Sequence, residues 1–219
     1  MKLQHMILAG FVSLTMTSSL SATVLNPGSG DLAADNFGAF SLLSSNLKAS
    51  QTLSWTSGGN TLTLRNAVYQ GTSGLDFYYQ LVNSAGGNME INRITTVLFP
   101  SWNTVNSGYT NTDVDGTGFF AGSTALQNPA TTDRSANPNG GTIGFKFVSP
   151  LTISPGESSS ILVLRTNAQT YNTGSSFAIN GNVATFANTY APTNVPEPGT
   201  YALMGAGLLA LGVIRRKRQ

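Results

Sequence analysis

Residues 23–194 predict an all-β fold, a single antiparallel β-sandwich with Greek-key or jelly-roll-like connections. Three observations carry that prediction. Apolar residues alternate with period two, as in LDFYYQLVN, where Phe77, Tyr79 and Leu81 share one face and Tyr78, Gln80 and Val82 the other. Glycine, proline and asparagine turn pairs recur between these runs. No stretch of the body sustains the 3.6-residue period of a helix.

The elements follow in order. Asp31 to Ser45 is the one segment that could form a turn or two of helix. LSWT, SGGN and TLTLRNAVY read as a hairpin, with Leu53 and Trp55 meeting Leu62 and Leu64 across a glycine turn. Strands are then expected at Leu75–Asn83, Arg93–Phe99, Thr142–Val148 and Ser160–Thr166. The last of these, SILVLRT, has four apolar residues in a row, which suits a strand covered on both faces. Pro155-Gly156 marks the turn before it. Asn180-Gly181, inside SSFAINGNVATF, is the pair best able to adopt the positive φ angles of a two-residue type I′ turn. Between these strands lies a polar, turn-rich excursion from Pro100 to Gly141, expected as a binding loop or as disorder, with one short strand around Gly118 to Ala121.

The two ends differ in kind from the body. Residues 1–22 hold Lys2, an apolar run from Met6 to Met16 and then TSSLSAT, the order of a secretory signal helix with cleavage after Ser21 or Ala22. At the other end, Tyr201 to Ile214 is apolar or small throughout and is followed by Arg215, Arg216, Lys217 and Arg218. Fourteen helical residues reach about 21 Å against a hydrocarbon core of about 30 Å. This transmembrane helix therefore spans only if its cations snorkel to the headgroups as a membrane stop. Cations beside an apolar segment stay in the cytoplasm, so the body is placed outside it.

The ends also set the chain's charge. The formal net charge of the 219 residues is +2. Residues 23–194 carry six cations (Lys48, Arg65, Arg93, Arg134, Lys146, Arg165) against eight acids and stand at −2, which leaves no basis for nucleic-acid binding. Cysteine is absent, so an exported body has no disulfides and depends on its core. The single histidine, His5, falls in the signal segment. A mature chain without His or Cys excludes Ser-His-Asp or Cys-His catalysis and zinc sites built on those ligands. No catalytic residue and no resident cofactor are expected. A carboxylate pair for glycoside hydrolysis remains chemically open through Asp76, Glu90, Asp113, Asp115, Asp133 or Glu157, though each reads more simply as a solubility charge.

Two binding features lie in the polar excursion. Asn111, Asp113 and Asp115 place oxygens at alternate positions before Gly116, like the opening of a calcium loop. The twelfth position of such a loop is Gly122 here, so its bidentate carboxylate is missing, and an Asx-rich turn is the simpler reading. Trp102 and Tyr109, with Phe119 and Phe120, offer aromatic faces for stacking on sugars or, alternatively, for pinning the loop to the sandwich.

The segment before the apolar tail reads Val195, Pro196, Glu197, Pro198, Gly199. The two prolines keep it extended and Glu197 keeps it hydrated, so an enzyme could reach it just outside the membrane. Together with the helix and the basic terminus, residues 195–219 closely resemble the PEP-CTERM sorting signal. That resemblance implies a Gram-negative-type bacterium and a membrane-embedded exosortase that removes the tail near Pro196-Glu197-Pro198. The partners it implies are the exosortase and, transiently, the inner membrane, with exopolysaccharide a further candidate. The destination is the cell surface or extracellular matrix, and the role structural or weakly binding. The alternatives are a carbohydrate- or calcium-binding adhesive module and a carboxylate-based hydrolase. The stretch from Ile153 to Thr193 also resembles the last strands of the β-sandwich bodies found ahead of such tails.

Overall fold

A computed structural model describes residues 23–39, 42–97, 99, 105–120, 125–136, 141–181, 183–193 and 208. The signal segment 1–22, the sorting residues Val195 to Gly199 and the cations Arg215 to Arg218 lie outside them. So does the expected helix 201–214, apart from Leu208. Among the described residues no helix is long and apolar enough to cross a membrane.

The described body is all-β. Its strands are β1 (Leu32–Ala33), β2 (Asp35–Asn36), β3 (Leu47–Ser57), β4 (Asn60–Gln70), β5 (Leu75–Asn83), β6 (Arg93–Thr96) and β7 (Val105–Thr110). They continue with β8 (Leu126–Gln127), β9 (Thr131–Arg134), β10 (Ile143–Lys146), β11 (Ser158–Ser159), β12 (Ile161–Thr166), β13 (Tyr171–Ile179) and β14 (Ala184–Pro192). One sheet runs β1-β9-β10-β6-β13-β14. The other runs β2-β7-β12-β5, with β4 on the far side of β5, β3 beyond β4, and β8 reached through the short β11.

The hairpin forms as expected. Leu53 lies opposite Leu64 and Trp55 opposite Leu62, and Gly58 and Gly59, at φ 56° and 79°, close the two-residue turn that such angles require. The strand over Leu75–Asn83 is reproduced residue for residue. β12 is central, with β5 on one side and β7 on the other, and four of its six residues, Ile161 to Leu164, are buried in sequence.

Four expectations change. Asp31 to Ser45 holds β1 and β2, and among its described residues the helical content is the start of one 3-10 turn, Ser44–Asn46. Asn180 and Gly181 do take positive φ, 46° and 69°, but the connection from β13 to β14 spans residues 180–183 instead of two. The polar excursion contains β7, β8 and β9, while Gly118 to Phe120 is not strand. Those strands escape a hydrophobicity pattern because, Val105 apart, their buried positions are small or polar: Ser107, Gly108, Thr110, Thr132 and Arg134. The pairing is also not wholly antiparallel, since β2 joins β7 and β8 joins β11 in parallel.

The two sheets share one apolar cluster. Leu62, Leu64, Phe77, Tyr79, Leu81, Leu162 and Leu164 from the eight-stranded sheet meet Ile94, Ile143, Phe145, Phe177, Ile179 and Phe186 from the other. Polar bonds stitch the sheets at one side: the Tyr79 hydroxyl donates to the Tyr190 carbonyl at 2.6 Å, and the Tyr190 N–H donates to Asn66 Oδ1 at 3.2 Å.

Part of the opposite face of the eight-stranded sheet, over β4, β5 and β12, is buried too. Ala67, Tyr69, Tyr78, Ile161 and Val163 on it are covered by Val114 and Phe120, with Phe37, Leu42, Leu47 and Phe119 packed around them. The cover is held by backbone bonds from Phe37 to Tyr109 and from Leu42 to Val114. Gly108 makes room for it, because a Cβ there would stand 2.4 Å from the Asp35 carbonyl oxygen and 2.8 Å from the Phe37 ring.

Candidate functional site

Strand register sets a polar row on that second face. Arg165 of β12 lies opposite Asn106 of β7 and opposite Asp76 of β5, and Asp76 in turn lies opposite Tyr69 of β4. Each residue belongs to the outward half of its strand's alternation, so Asn106, Arg165 and Asp76 stand side by side across three strands, with neighbours about 4.8 Å apart. They form the floor of a cavity of about 520 Å³, within the range usual for small-ligand sites.

Its wall is the β4–β5 connection, Gly71 to Gly74, tied to the chain that follows β12. Gly71 N–H donates to the Gly74 carbonyl, and Leu75 N–H to the Ala168 carbonyl. Thr166 Oγ1 donates to the Leu75 carbonyl at 2.6 Å and Gln169 Nε2 to the Ser73 carbonyl at 3.3 Å. Glycine is needed at both ends of the connection. A Cβ at Gly71 would sit 2.7 Å from the Asp76 carboxyl, and one at Gly74 would sit 2.6 Å from the Ala168 carbonyl oxygen. Leu42 supplies an apolar wall, and Thr72, Ser73 and Asn167 form an exposed rim.

Asp76 is 7% exposed. Its burial raises the carboxyl pKa to about 6, a shift that Arg165, the Thr166 N–H and the Tyr78 hydroxyl reduce but do not cancel. The Arg165 contact is loose, with Nε 3.9 Å from Asp76 Oδ2, and the guanidinium also lies 4.4 Å over the Phe37 ring. Asn106 Oδ1 is buried and accepts no hydrogen bond. Burial, then the neighbouring Asp76, pushes the Tyr78 hydroxyl far above its ordinary range, so it stays protonated.

Among the described residues lining the cavity, Asp76 carries the one carboxylate. The other acids named as hydrolase candidates lie elsewhere in local pairings. Asp133 is clamped bidentately by Arg93 at 2.8 Å. Glu90 accepts from Thr152 and Ser154 hydroxyls, and Glu157 accepts from Ser154 N–H and Gln127.

The excursion's acids close their own loop. Asp115 Oδ1 accepts the Thr117 N–H and hydroxyl, its Oδ2 accepts the Tyr69 hydroxyl at 2.7 Å, and Asp113 Oδ2 accepts the Gly118 N–H. Burial raises the Asp115 pKa, but the bonds from Thr117 and Tyr69 outweigh it and hold the carboxyl below its ordinary value. Asn111 is exposed beside this turn. Among the described residues, no three His, Cys, Asp or Glu side chains are grouped as a metal site.

Phe119 and Phe120 pin the loop to the sheet, and Phe120 is only 2% exposed. Tyr109 lies in β7, half-buried against the cluster between the sheets. It therefore sits on the opposite face of the sheet from Asp115 and its Tyr69 partner, and the two features do not share one concavity. Trp102 lies outside the described residues.

Sequence reasoning singled out Asp76 only as one of six acids and assigned no site role to Arg165 or Asn106. The available signal was the apolar run ahead of Arg165. A strand buried on both faces places an arginine at its end against a second layer, where it needs a carboxylate neighbour.

Comparison with known proteins identifies the tail. Residues 194–218 match the model of the PEP-CTERM protein-sorting motif, the C-terminal sorting signal of exosortase substrates. The motif marks export and sorting at a membrane. The match is confined to those residues, and no curated protein and no solved structure matches the chain.

Proposed function

We propose that this exosortase-sorted chain is held transiently in the inner membrane through residues 201–214 and Arg215 to Arg218. The tail is then cut near Pro196-Glu197-Pro198, and the body passes to the cell surface or exopolysaccharide matrix. There residues 23–194 act as one β-sandwich with a structural or weakly binding role. The observation that carries the proposal is the sorting motif at residues 194–218. Without cysteine the body depends on its core, and its larger sheet buries apolar residues on both faces, which suits a protein that must persist outside the cell. Mass measurement of the surface-released protein tests it. The chain is expected to end between Pro196 and Gly199, and a mass that includes Arg218 and Gln219 would refute processing.

The binding half of this role is favoured by the cavity over Asp76, Arg165 and Asn106. A calcium-dependent form at Asn111, Asp113 and Asp115 has less support, because donors within the protein already occupy three of the four aspartate oxygens. A rise in Tm on adding calcium, lost in Asp113→Asn, would bring it forward.

A further inference from the structure

We infer that the cavity floored by Asn106, Arg165 and Asp76 binds a neutral, hydroxyl-rich ligand, namely a sugar unit of a polysaccharide. This rests on the binding half of the proposed function and not on the sorting of the tail. The floor presents an amide, a donor and an acceptor in sequence: the Asn106 side chain, the Arg165 guanidinium and the Asp76 carboxylate. The formal charges of Arg165 and Asp76 cancel, and the Asn106 side chain adds a neutral polar group beside them.

Charged ligands match this row poorly. A carboxylate or phosphate would pair with Arg165 but bring its oxygens against Asp76. An ammonium would satisfy Asp76 and meet Arg165 instead. A hydroxyl both donates and accepts, so adjacent hydroxyls on one ring can serve all three groups at once. The rim continues the same chemistry with Thr72 and Ser73, and Leu42 offers an apolar surface to a ring's C–H face. The volume of about 520 Å³ admits one or two sugar rings.

The test uses the processed protein purified from the cell surface after growth on a 15N source. Glucose, methyl glucoside and myo-inositol are titrated in turn, with acetate and ethylammonium as charged probes, and the backbone amide resonances of Gly71, Ser73 and Asn167, which every variant retains, are followed. Saturable shifts are expected with at least one neutral probe and not with either charged one. Asn106→Ala and Asp76→Asn should each weaken that binding about tenfold, the usual result of leaving one polar group of a ligand unpaired. Because either change could disturb folding, Thr72→Trp on the exposed rim provides a second arm. It should block the mouth and abolish binding while leaving Tm within about 1 °C.

A methyl glycoside that binds as well as the free sugar assigns the site to a unit within a chain or at its non-reducing end. Binding of the free sugar alone assigns it to a reducing end. No shift with any neutral probe at about 50 mM would overturn the inference. Saturation by acetate or ethylammonium instead, or binding unchanged in all three variants, would do the same. The mass of the released protein is read separately, so failure here leaves the processing result intact.

Discussion

Asp76 gives the residue scale its sharpest consequence. In the unfolded chain its carboxyl titrates near 3.8, and in the folded protein near 6. A raised carboxylate pKa means that the folded state holds its proton more tightly. Asp76 therefore contributes stability that is fully present below pH 3.8 and is lost as pH rises through 6. Asp115 has the opposite sign: its lowered pKa gives stability that is lost only in stronger acid. Between pH 4 and 6.5 the first effect should show in the difference between the protein and Asp76→Asn. Chemical denaturation across that range is expected to find the wild type gaining on the variant as pH falls, by on the order of 2 kcal/mol. A difference that stays flat would show that Asp76 is not desolvated. The neighbourhood was half legible in the sequence. Alternation in LDFYYQLVN already puts Asp76 on the face of Tyr78 and Gln80, whereas the register that sets Arg165 between Asp76 and Asn106 comes from non-local pairing that no local pattern encodes.

At the scale of elements, the excursion between Pro100 and Gly141 changes most between pattern and structure. It reads as loop because hydrophobicity is the main strand signal, and apart from Val105 its strands bury mostly hydroxyls and a guanidinium. Ser107 Oγ donates to Thr132 Oγ1 at 3.0 Å, and Arg134 reaches the Leu25 carbonyl at 2.9 Å. Strands that satisfy buried polar groups across sheets in this way are invisible to a binary pattern. The segment that stays irregular, Asn111 to Phe120, works as a cover. Asx bonds from Asp113 and Asp115 curl it, and Val114 and Phe120 plug onto Tyr69, Tyr78 and Val163. Phe120 packs 6.3 Å from the Tyr78 ring and 4.8 Å from the Phe119 ring. Phe120→Ala should accordingly cost about 3 kcal/mol, the low end for a buried phenylalanine at a site with room to relax. It should also expose the second apolar face. A loss of unfolding free energy, read from the denaturant midpoint and slope, of less than a third of that would mean that the loop is an appendage and not part of the core.

The whole molecule divides into a body at −2 and a tail whose four terminal cations reverse the sign of the chain. Ends and body were legible to different degrees for a physical reason. The sorting signal is a linear pattern of proline, charge and hydrophobicity, complete in residues 194–218. The body's site exists only after β5, β7 and β12 have paired. In the proposed sorting the cations matter because the apolar stretch has only fourteen residues. As a helix it would reach about 21 Å against about 30 Å of hydrocarbon, and its position would then depend on charges that resist entering the membrane. Neutralising Arg215, Arg216, Lys217 and Arg218 together to Gln removes that resistance, while Pro196-Glu197-Pro198 and the apolar residues stay in place. The altered tail should slip outward instead of presenting Pro196-Glu197-Pro198 at a fixed depth to a membrane-embedded enzyme. Fractionation and mass measurement should then find the variant outside the inner membrane with residues through Gln219 still attached. A variant that is still trimmed to Pro196–Gly199 would show that recognition rests on the Pro-Glu-Pro segment and helix alone, and that the cations only orient the chain during insertion.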